Sequence, residues 1–287
     1  MKRIGLAGVA LVVVFFAMAG SAWAEATTTI CVPEHASSQV LSTNAKGECP
    51  AKIISKVSVK YRAETLPGTA ELEKLDKILP HVNYVESGVG GKATIQFSGL
   101  NVQVVNGEGK TASVNGEGNL VIGYDEGKRE QTGSHNLVLG EEQTFTSYGG
   151  ILGGRLNTVS APFASVTGGS GNTASASASS VSGGGVNTAS AFEASVSGGS
   201  ANTASFREAS VSGGHSNTAS GEDASVSGGT LNQAFTTFAS VSGGQSNTAS
   251  GSAPWVGGGF KNAIAANYAS IFGGKELVTT TEYGAIP

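Results

Sequence analysis

The sequence is poor in charge: Asp, Glu, Lys and Arg make up 13% of its 287 residues, about half the usual 25%. A chain kept disordered by charge repulsion is therefore excluded. A net charge of −4 and a pI near 5.6 leave no basic surface for nucleic acid. Proline occurs only 7 times, and there is no Gly-X-Y period, so collagen is excluded.

The patterns that carry catalysis or metal binding are also missing. Residues 109–111 read like the end of a P-loop, but Val104 stands where that motif needs its first Gly. No Gly-x-Ser-x-Gly elbow lies between a strand and a helix. The 4 His are scattered along the chain, so they make no metal cluster. We therefore expect no enzyme activity, no cofactor and no metal.

The first 24 residues have the pattern of an export signal. Lys2 and Arg3 precede an apolar run over residues 4–18, and residues 22–24 form an A-x-A cleavage site. A retained membrane anchor is the alternative, but the small-residue site and the polar residues after it favour cleavage. We predict a secreted or cell-surface protein with no membrane span in the mature chain.

Two cysteines, Cys31 and Cys49, lie closely behind this signal. An exported chain meets an oxidising compartment, so the pair could close one disulfide. Two free thiols or a metal site are the alternatives, although two Cys without a nearby His pair make a poor zinc site.

The next segments alternate between strand and helix patterns. Within an N-terminal segment, residues 25–66, the alternation over residues 54–61 predicts a strand. Residues 68–79 predict a short helix, with Thr69 as N-cap and Pro80 as its stop. Its apolar stripe of Leu72, Leu75 and Leu79 fits a short trimeric neck or an ordinary docked helix equally well. We assign residues 67–80 to this helix or neck.

Residues 81–118 have strand chemistry and form an entry segment to the repeats of the C-terminal half. Residues 94–97 and 102–105 alternate with period two and predict strands. Asn106-Gly107 and Asn115-Gly116 are typical of tight turns. The string Val-Asn-Gly-Glu-Gly occurs twice, at 105–109 and at 114–118.

Glycine is abundant, with 43 residues, and much of it belongs to a repeat. Units of the form Ser-Val-(Ser/Thr)-Gly-Gly recur every 15 residues, and a fixed short period indicates a solenoid. The central aliphatic column is Val121, Val138, Ile151, Val166, Val181, Val196, Val211, Val226, Val241, Val256 and Ile271. An Asn lies six positions after each member from Ile151 to Val256, at Asn157, Asn172, Asn187, Asn202, Asn217, Asn232, Asn247 and Asn262.

These columns predict an all-β fold, a parallel β-roll or solenoid of about 11 rungs over residues 119–274, preceded by a small α+β segment. Here a rung is one turn of the coil, with two short strands and two bends. Val and Ala columns are expected to point inward. The Gly-Gly pair supplies backbone freedom at a bend. The Asn column is either a side-chain amide ladder between rungs or a ladder of left-handed turns. Residues 275–287 are predicted to be a tail or cap.

The units resemble a known repeat. Residues 119–123 and 136–140, together with the Ala-Ser-Val-Ser-Gly-Gly-x-x-Asn-Thr-Ala-Ser-Gly units, look like the YadA-like head repeats of trimeric autotransporter adhesins. That resemblance implies a left-handed coil, three chains side by side, a neck, and adhesion to host or matrix surfaces. A long heptad stalk and a membrane barrel do not come after the repeats, so we do not expect self-translocation.

The second bend of each rung varies freely, and it offers the candidate contact residues Phe192, Phe206, Phe238 and Tyr268. They could serve a neighbouring chain or a ligand such as a surface glycan or matrix protein, or be scattered surface aromatics. The expected function is an exported structural or adhesive rod, with a homotrimer as its expected assembly. The alternatives are an ice-binding or surface-lattice protein, favoured by a partial Thr column, and the scaffold of an exported enzyme.

Overall fold

The structure is a computed structural model. It describes residues 29–33, 41–42, 48, 52–54, 57–59, 61–65, 69–127 and 129–287, and among these the side chains of residue 48 and of residues 73 onward. The predicted signal peptide lies outside the described residues, and so do the side chains of both cysteines. The described chain divides into two units, residues 1–102 and residues 103–287.

The first unit consists of short antiparallel pairings and one α-helix among its described residues. Its strands are Thr29–Pro33, Leu41–Ser42, Lys52–Ile54, Val57–Val59, Tyr61–Thr65, Val82–Val85 and Thr94–Phe97. The first strand lies between Leu41–Ser42 and Tyr61–Thr65 in a three-stranded sheet. Ile54 pairs with Val57, so the single strand predicted over residues 54–61 is wrong. The alternation there belongs to two strands that fold back on each other.

The predicted helix is confirmed as Thr69–Ile78, followed by a 3₁₀ turn over Leu79–His81. Pro80 lies inside that turn, because a proline without an N–H is tolerated at the first positions of a helical turn. A second 3₁₀ turn covers Val89–Gly91. Leu75 and Leu79 of the predicted stripe, and Ile78 beside it, are 46% to 61% exposed.

Residues 94–97 form the predicted strand and pair with 82–85 as a hairpin. Residues 102–105 do not form a strand, and this expectation is wrong. The two Asn-Gly pairs that follow form turns in which each Asn side chain accepts the backbone amide two residues further on. Oδ1 of Asn106 accepts the Glu108 amide at 3.1 Å, and Oδ1 of Asn115 accepts the Glu117 amide at 3.0 Å. Such turns compete with strand pairing.

The second unit is the predicted β-solenoid, with about 11 turns spaced by about 15 residues. Two parallel sheets run along it, and in both the spatial order of strands follows the chain. The first, which we call the Val sheet, has 12 strands: Leu120–Ile122, Leu137–Glu141, Ile151–Arg155, Ser165–Val166, Ser180–Val181, Ser195–Val196, Ser210–Val211, Ser225–Val226, Ser240–Val241, Trp255–Val256, Ser270–Ile271 and Ala285–Ile286.

The second, the Ala sheet, has 10 strands: Thr144–Phe145, Thr158–Val159, Thr173–Ala174, Thr188–Ala189, Thr203–Ala204, Thr218–Ala219, Gln233–Ala234, Thr248–Ala249, Ala263–Ile264 and Val278–Thr279. Strands 278–279 and 285–286 continue both sheets beyond residue 274, where the sequence pattern fades. The coil continues because backbone hydrogen bonds form whatever the side chains are.

The core is a column of small side chains between the two sheets. Val166, Val181 and the Val of each later rung are buried, and so are Ala174, Ala189 and their successors, as the repeat predicts. Two members of the predicted column depart from it. Leu152, not Ile151, is buried and pairs with Val138 and Val166. Val121 pairs with Val138 as expected, but it lies on the first strand of the sheet and is exposed. The rungs that begin at Leu137 and Ile151 are one residue shorter than the later ones, and this shifts the inward position.

Candidate functional surfaces of the solenoid

The Asn column forms a side-chain amide ladder, so its members are not the left-handed residues of the turn. Asn202 is fully buried, and its Oδ1 accepts the backbone N–H of Asn217 at 2.9 Å. Its Nδ2 donates to the carbonyl oxygens of Gly198 at 2.9 Å and Gly214 at 3.0 Å. One side chain thus satisfies three backbone groups of two rungs. The same bonds recur at Asn157, Asn172, Asn187, Asn217, Asn232, Asn247 and Asn262.

Two residues that the sequence pattern missed extend this ladder toward the N-terminus. Gln143 is fully buried, and its Oε1 accepts the Asn157 amide at 3.1 Å. Above it, Oδ1 of Asp125 accepts the Gln143 amide at 3.0 Å. The sequence signal was present but weak, since Gln143 comes five positions after Val138 rather than six. That rung is one residue shorter, and Gln143, whose side chain has one more methylene, takes the place of Asn there.

The two glycines of each Gly-Gly pair have different roles. The second, such as Gly199, has φ of +82°, and an added Cβ would clash with the Gly214 carbonyl oxygen and lie 2.6 Å from Nδ2 of Asn202. The first has no left-handed φ. An added Cβ would meet no atom of the chain within 4 Å at seven of these positions: Gly183, Gly198, Gly213, Gly228, Gly243, Gly258 and Gly273. Packing within one chain therefore requires the second glycine and leaves the first unexplained.

The outer surface of the Val sheet changes along the coil. Leu120, Ile122 and Ile151 point outward and are exposed at the N-terminal end. The middle rungs carry Ser there, from Ser165 to Ser240. At the C-terminal end Trp255 and Phe272 form an edge-to-face pair with ring centroids 5.1 Å apart. The middle of this face is thus free of large side chains.

The four candidate contact residues lie on the variable bends and are about half exposed, from 45% at Phe192 to 59% at Phe238. The structure does not bring them together in one site. The guanidinium of Arg207 lies 5.9 Å from the ring centroid of Phe192, and Tyr268 stacks on Tyr283 at 5.3 Å. They are separate points along one edge of the coil, which suits repeated weak contacts better than a single pocket.

A charged cluster lies at the other bend of the early rungs. Arg155 pairs with Glu142 at 3.0 Å and with Glu141 at 3.2 Å, and Arg129 lies 3.5 Å from Glu142. The hydrogen bond from Arg155 is the main cause that holds the pKa of Glu142 below its usual value, and the charges of both arginines act in the same direction. The same pairing raises the pKa of Arg155.

A groove of about 520 Å³ lies at the N-terminal end of the second unit, and sequence reasoning did not find it. It is lined by Gln103, Val104, Val105, Asn106, Gly107, Gly109, Lys110, Thr111 and His135. His135 belongs to the first rung, and the other residues belong to the segment before it. No spacing in the sequence relates His135 to Asn106, because the contact depends on how the turns of that segment fold.

Among the described side chains, no group of three or more His, Cys, Asp or Glu is arranged to hold a metal ion. In the part of the chain that the structure describes, no helix combines the length and apolarity needed to cross a bilayer. The disulfide between Cys31 and Cys49 remains a prediction. A comparison of the chain with models of known protein families and with curated protein sequences finds no match.

Proposed function

We propose that the protein is an exported, non-enzymatic rod that assembles as a homotrimer and adheres to other surfaces through its variable bends. In this proposal it is secreted or held at the cell surface, and it is related to YadA-like heads with a left-handed coil. The apolar run and cleavage pattern of residues 1–24 support export. The Asn119 and Asn136 units support the kinship, since Oδ1 of Asn119 accepts the Asn136 amide at 2.9 Å.

The proposal of a homotrimer rests on the column formed by the first glycine of each Gly-Gly pair. Seven glycines stand where one chain leaves room for an added Cβ. A neighbouring backbone in close contact would explain them, because glycine permits the closest approach of two backbones. The exposed Leu120, Ile122 and Ile151 on the outer face of the Val sheet support burial against another copy. The exposed stripe of Leu75, Ile78 and Leu79 supports the trimeric neck over the docked helix.

The mass of the mature chain in solution, measured by light scattering, tests the assembly. We expect a mass of three chains, and we expect Gly213→Leu to dissociate the trimer while the coil stays folded by circular dichroism. The control is Ser190→Leu, which places the same side chain on the exposed outer face of the Ala sheet. A single-chain mass for the unchanged protein, or a trimer untouched by Gly213→Leu, would contradict the proposal.

Solid-phase binding of the mature chain to cells, matrix proteins and surface glycans tests adhesion. We expect binding that falls when Phe192, Phe206, Phe238 and Tyr268 are all replaced by Ser. A control with Ser182 and Ser197 replaced by Ala should bind normally. The absence of binding to every surface would defeat the adhesive part and leave assembly untouched.

A second candidate function is binding to a planar lattice such as ice. The outer face of the Ala sheet carries two hydroxyl columns rather than the one apparent from the sequence: Thr173, Thr188, Thr203, Thr218 and Thr248, beside Ser175, Ser190, Ser205, Ser220 and Ser250. Strands about 4.8 Å apart space them regularly. Gln233 and Phe235 interrupt both columns. A thermal-hysteresis measurement that finds none would remove this function.

A further inference from the structure

The ring of His135 forms two hydrogen bonds that hold the segment preceding the first rung against that rung. Nε2 of His135 lies 3.1 Å from the backbone nitrogen of Asn106, and Nδ1 lies 3.1 Å from the carbonyl oxygen of Thr111. The loop from Asn106 to Ser113 is closed on itself, because Nδ2 of Asn106 donates to the Ser113 carbonyl at 3.0 Å and to its hydroxyl at 2.8 Å. The ring therefore holds both ends of a preformed loop.

These two bonds fix the protonation state of the ring. A backbone N–H can only donate, so Nε2 must be the unprotonated acceptor. A carbonyl oxygen can only accept, so Nδ1 must carry the proton. The neutral ring meets both demands. A doubly protonated ring would place an N–H against the N–H of Asn106, and that contact would be lost.

A second set of bonds holds the following residues without any titratable group. Asn115 donates its amide N–H to the Ser134 hydroxyl at 3.0 Å, and that hydroxyl donates to Oδ1 of Asn115 at 3.2 Å. Nδ2 of Asn119 donates to the carbonyl oxygens of Gly116 at 3.1 Å and Gly133 at 2.8 Å. Nδ2 of Asn115 also donates to the Asn106 carbonyl at 3.0 Å. Acid leaves these neutral bonds intact, so residues 115–119 stay anchored while the Asn106 amide loses its acceptor.

The charged and titratable groups with described side chains on the elements around the ring are Glu108, Lys110 and Glu117 of the segment, Tyr124, Asp125, Glu126, Arg129 and Glu130 of the same rung, and Glu141, Glu142 and Tyr148 of the next. Among the described side chains none of these is hydrogen-bonded to the ring, whose two partners are backbone groups. The response of the loop to acid therefore depends on His135 itself. An imidazole is also the side chain whose ordinary titration falls between pH 5 and 8.

We propose that His135 is a proton-operated latch: its neutral ring accepts the Asn106 amide and holds that end of the loop 106–113 on the first rung, and protonation of the ring breaks this bond while the bond to Thr111 remains. Loss of this bond loosens the groove at Asn106, which is buried when the bond is formed. Mildly acidic solution thus loosens one end of the solenoid without unfolding its rungs. The proposal does not depend on adhesion or on the number of chains.

Residue-resolved amide hydrogen exchange of the mature chain tests the latch, with rates corrected for the intrinsic effect of pH. Between pH 7.5 and 5, we expect the protection of the Asn106 amide to fall about tenfold or more. Its midpoint should coincide with that of the His135 ring followed by NMR. The amides of Asn115 and Asn136 should keep their protection, which distinguishes local release from unfolding.

Two variants separate the latch from other effects of acid. His135→Ala should leave the Asn106 amide unprotected at both pH values, and His81→Gln, in the other unit, should leave the response unchanged. Should His135→Ala fail to fold, the comparison within the unchanged protein decides alone. An Asn106 amide that stays equally protected at both pH values would overturn the latch, as would a pH response that persists in His135→Ala.

Discussion

The early rungs, residues 119–157, and the middle rungs, residues 165–254, stabilise the same coil by different means. The strands Leu137–Glu141 and Ile151–Arg155 have five residues each, whereas each middle strand has two. The early core contains the large side chains Phe145 and Leu152, where the middle core has only Val and Ala. The early rungs also have the Arg155 cluster and two amide columns, and the middle rungs have one column.

The difference arises from position in a one-dimensional stack. A middle rung has a neighbour on each side, so a few side chains that match the neighbouring rung are enough. A rung near the end lacks part of that support and needs contacts of its own. The second amide column illustrates this, since Oδ1 of Asn136 accepts the Gly150 amide and the column ends there. The next residue at that position is Ala164, which is buried and apolar.

The largest effect is expected from a substitution that breaks the Asn ladder, on which the middle rungs depend. Asn202→Ala removes the acceptor of the buried Asn217 amide and the side-chain donors of the Gly198 and Gly214 carbonyls, of which only the Gly214 carbonyl keeps a second donor, the Ser200 amide. We expect a loss of about 2 kcal/mol or more in the free energy of unfolding, measured in urea by circular dichroism. Thr203→Val, the adjacent half-buried residue, should change it by less than about 0.5 kcal/mol. Equal losses in the two variants would contradict the importance of the ladder.

A smaller effect is expected for the charged cluster of the early rungs. The lowered pKa of Glu142 means that this carboxylate stabilises the fold above its unfolded pKa, near the ordinary value of 4.5, and that the contribution is lost as pH falls through its lowered folded pKa. Arg155→Met should flatten the acid limb of the melting temperature against pH, and high salt should do the same for the unchanged protein. Arg207→Met, among the middle rungs, is the matched control. A flattened acid limb there as well would remove the contrast between the two regions.

The smallest effect is a gain within a middle rung. Val186 has φ of +56° and is largely exposed, so a β-branched residue occupies a left-handed conformation without packing to offset the strain. Val186→Asn should raise the free energy of unfolding by about 0.5–1 kcal/mol, because Asn adopts this conformation more readily. Gly171→Val, the same position one rung earlier, should lower it. No gain from Val186→Asn would indicate that the bend tolerates the strain by other means.

The middle rungs could be predicted almost completely from the sequence. Fifteen-residue spacing places like residues on top of one another, and burial then requires that the aliphatic columns point inward, as Val196 and Ala204 do. The early rungs could not be predicted in the same way. The sequence pattern placed Ile151 in the core, because nothing local distinguishes a rung of fourteen residues from one of fifteen. Only the pairing of Leu152 with Val138 and Val166 decides it.

The repeat, its period and the small apolar core are properties of the amino-acid order, since periodic burial needs no information beyond the chain. Contacts between residues far apart in the chain emerged only in the folded coil. Folding placed Asp125 and Gln143 at the N-terminal end of the amide ladder and brought His135 to Asn106. It also gave the two glycines of each pair different surroundings, crowded at the second and open at the first. Hydrogen bonds and steric contacts act over a few ångströms, so the three-dimensional arrangement fixes which groups meet.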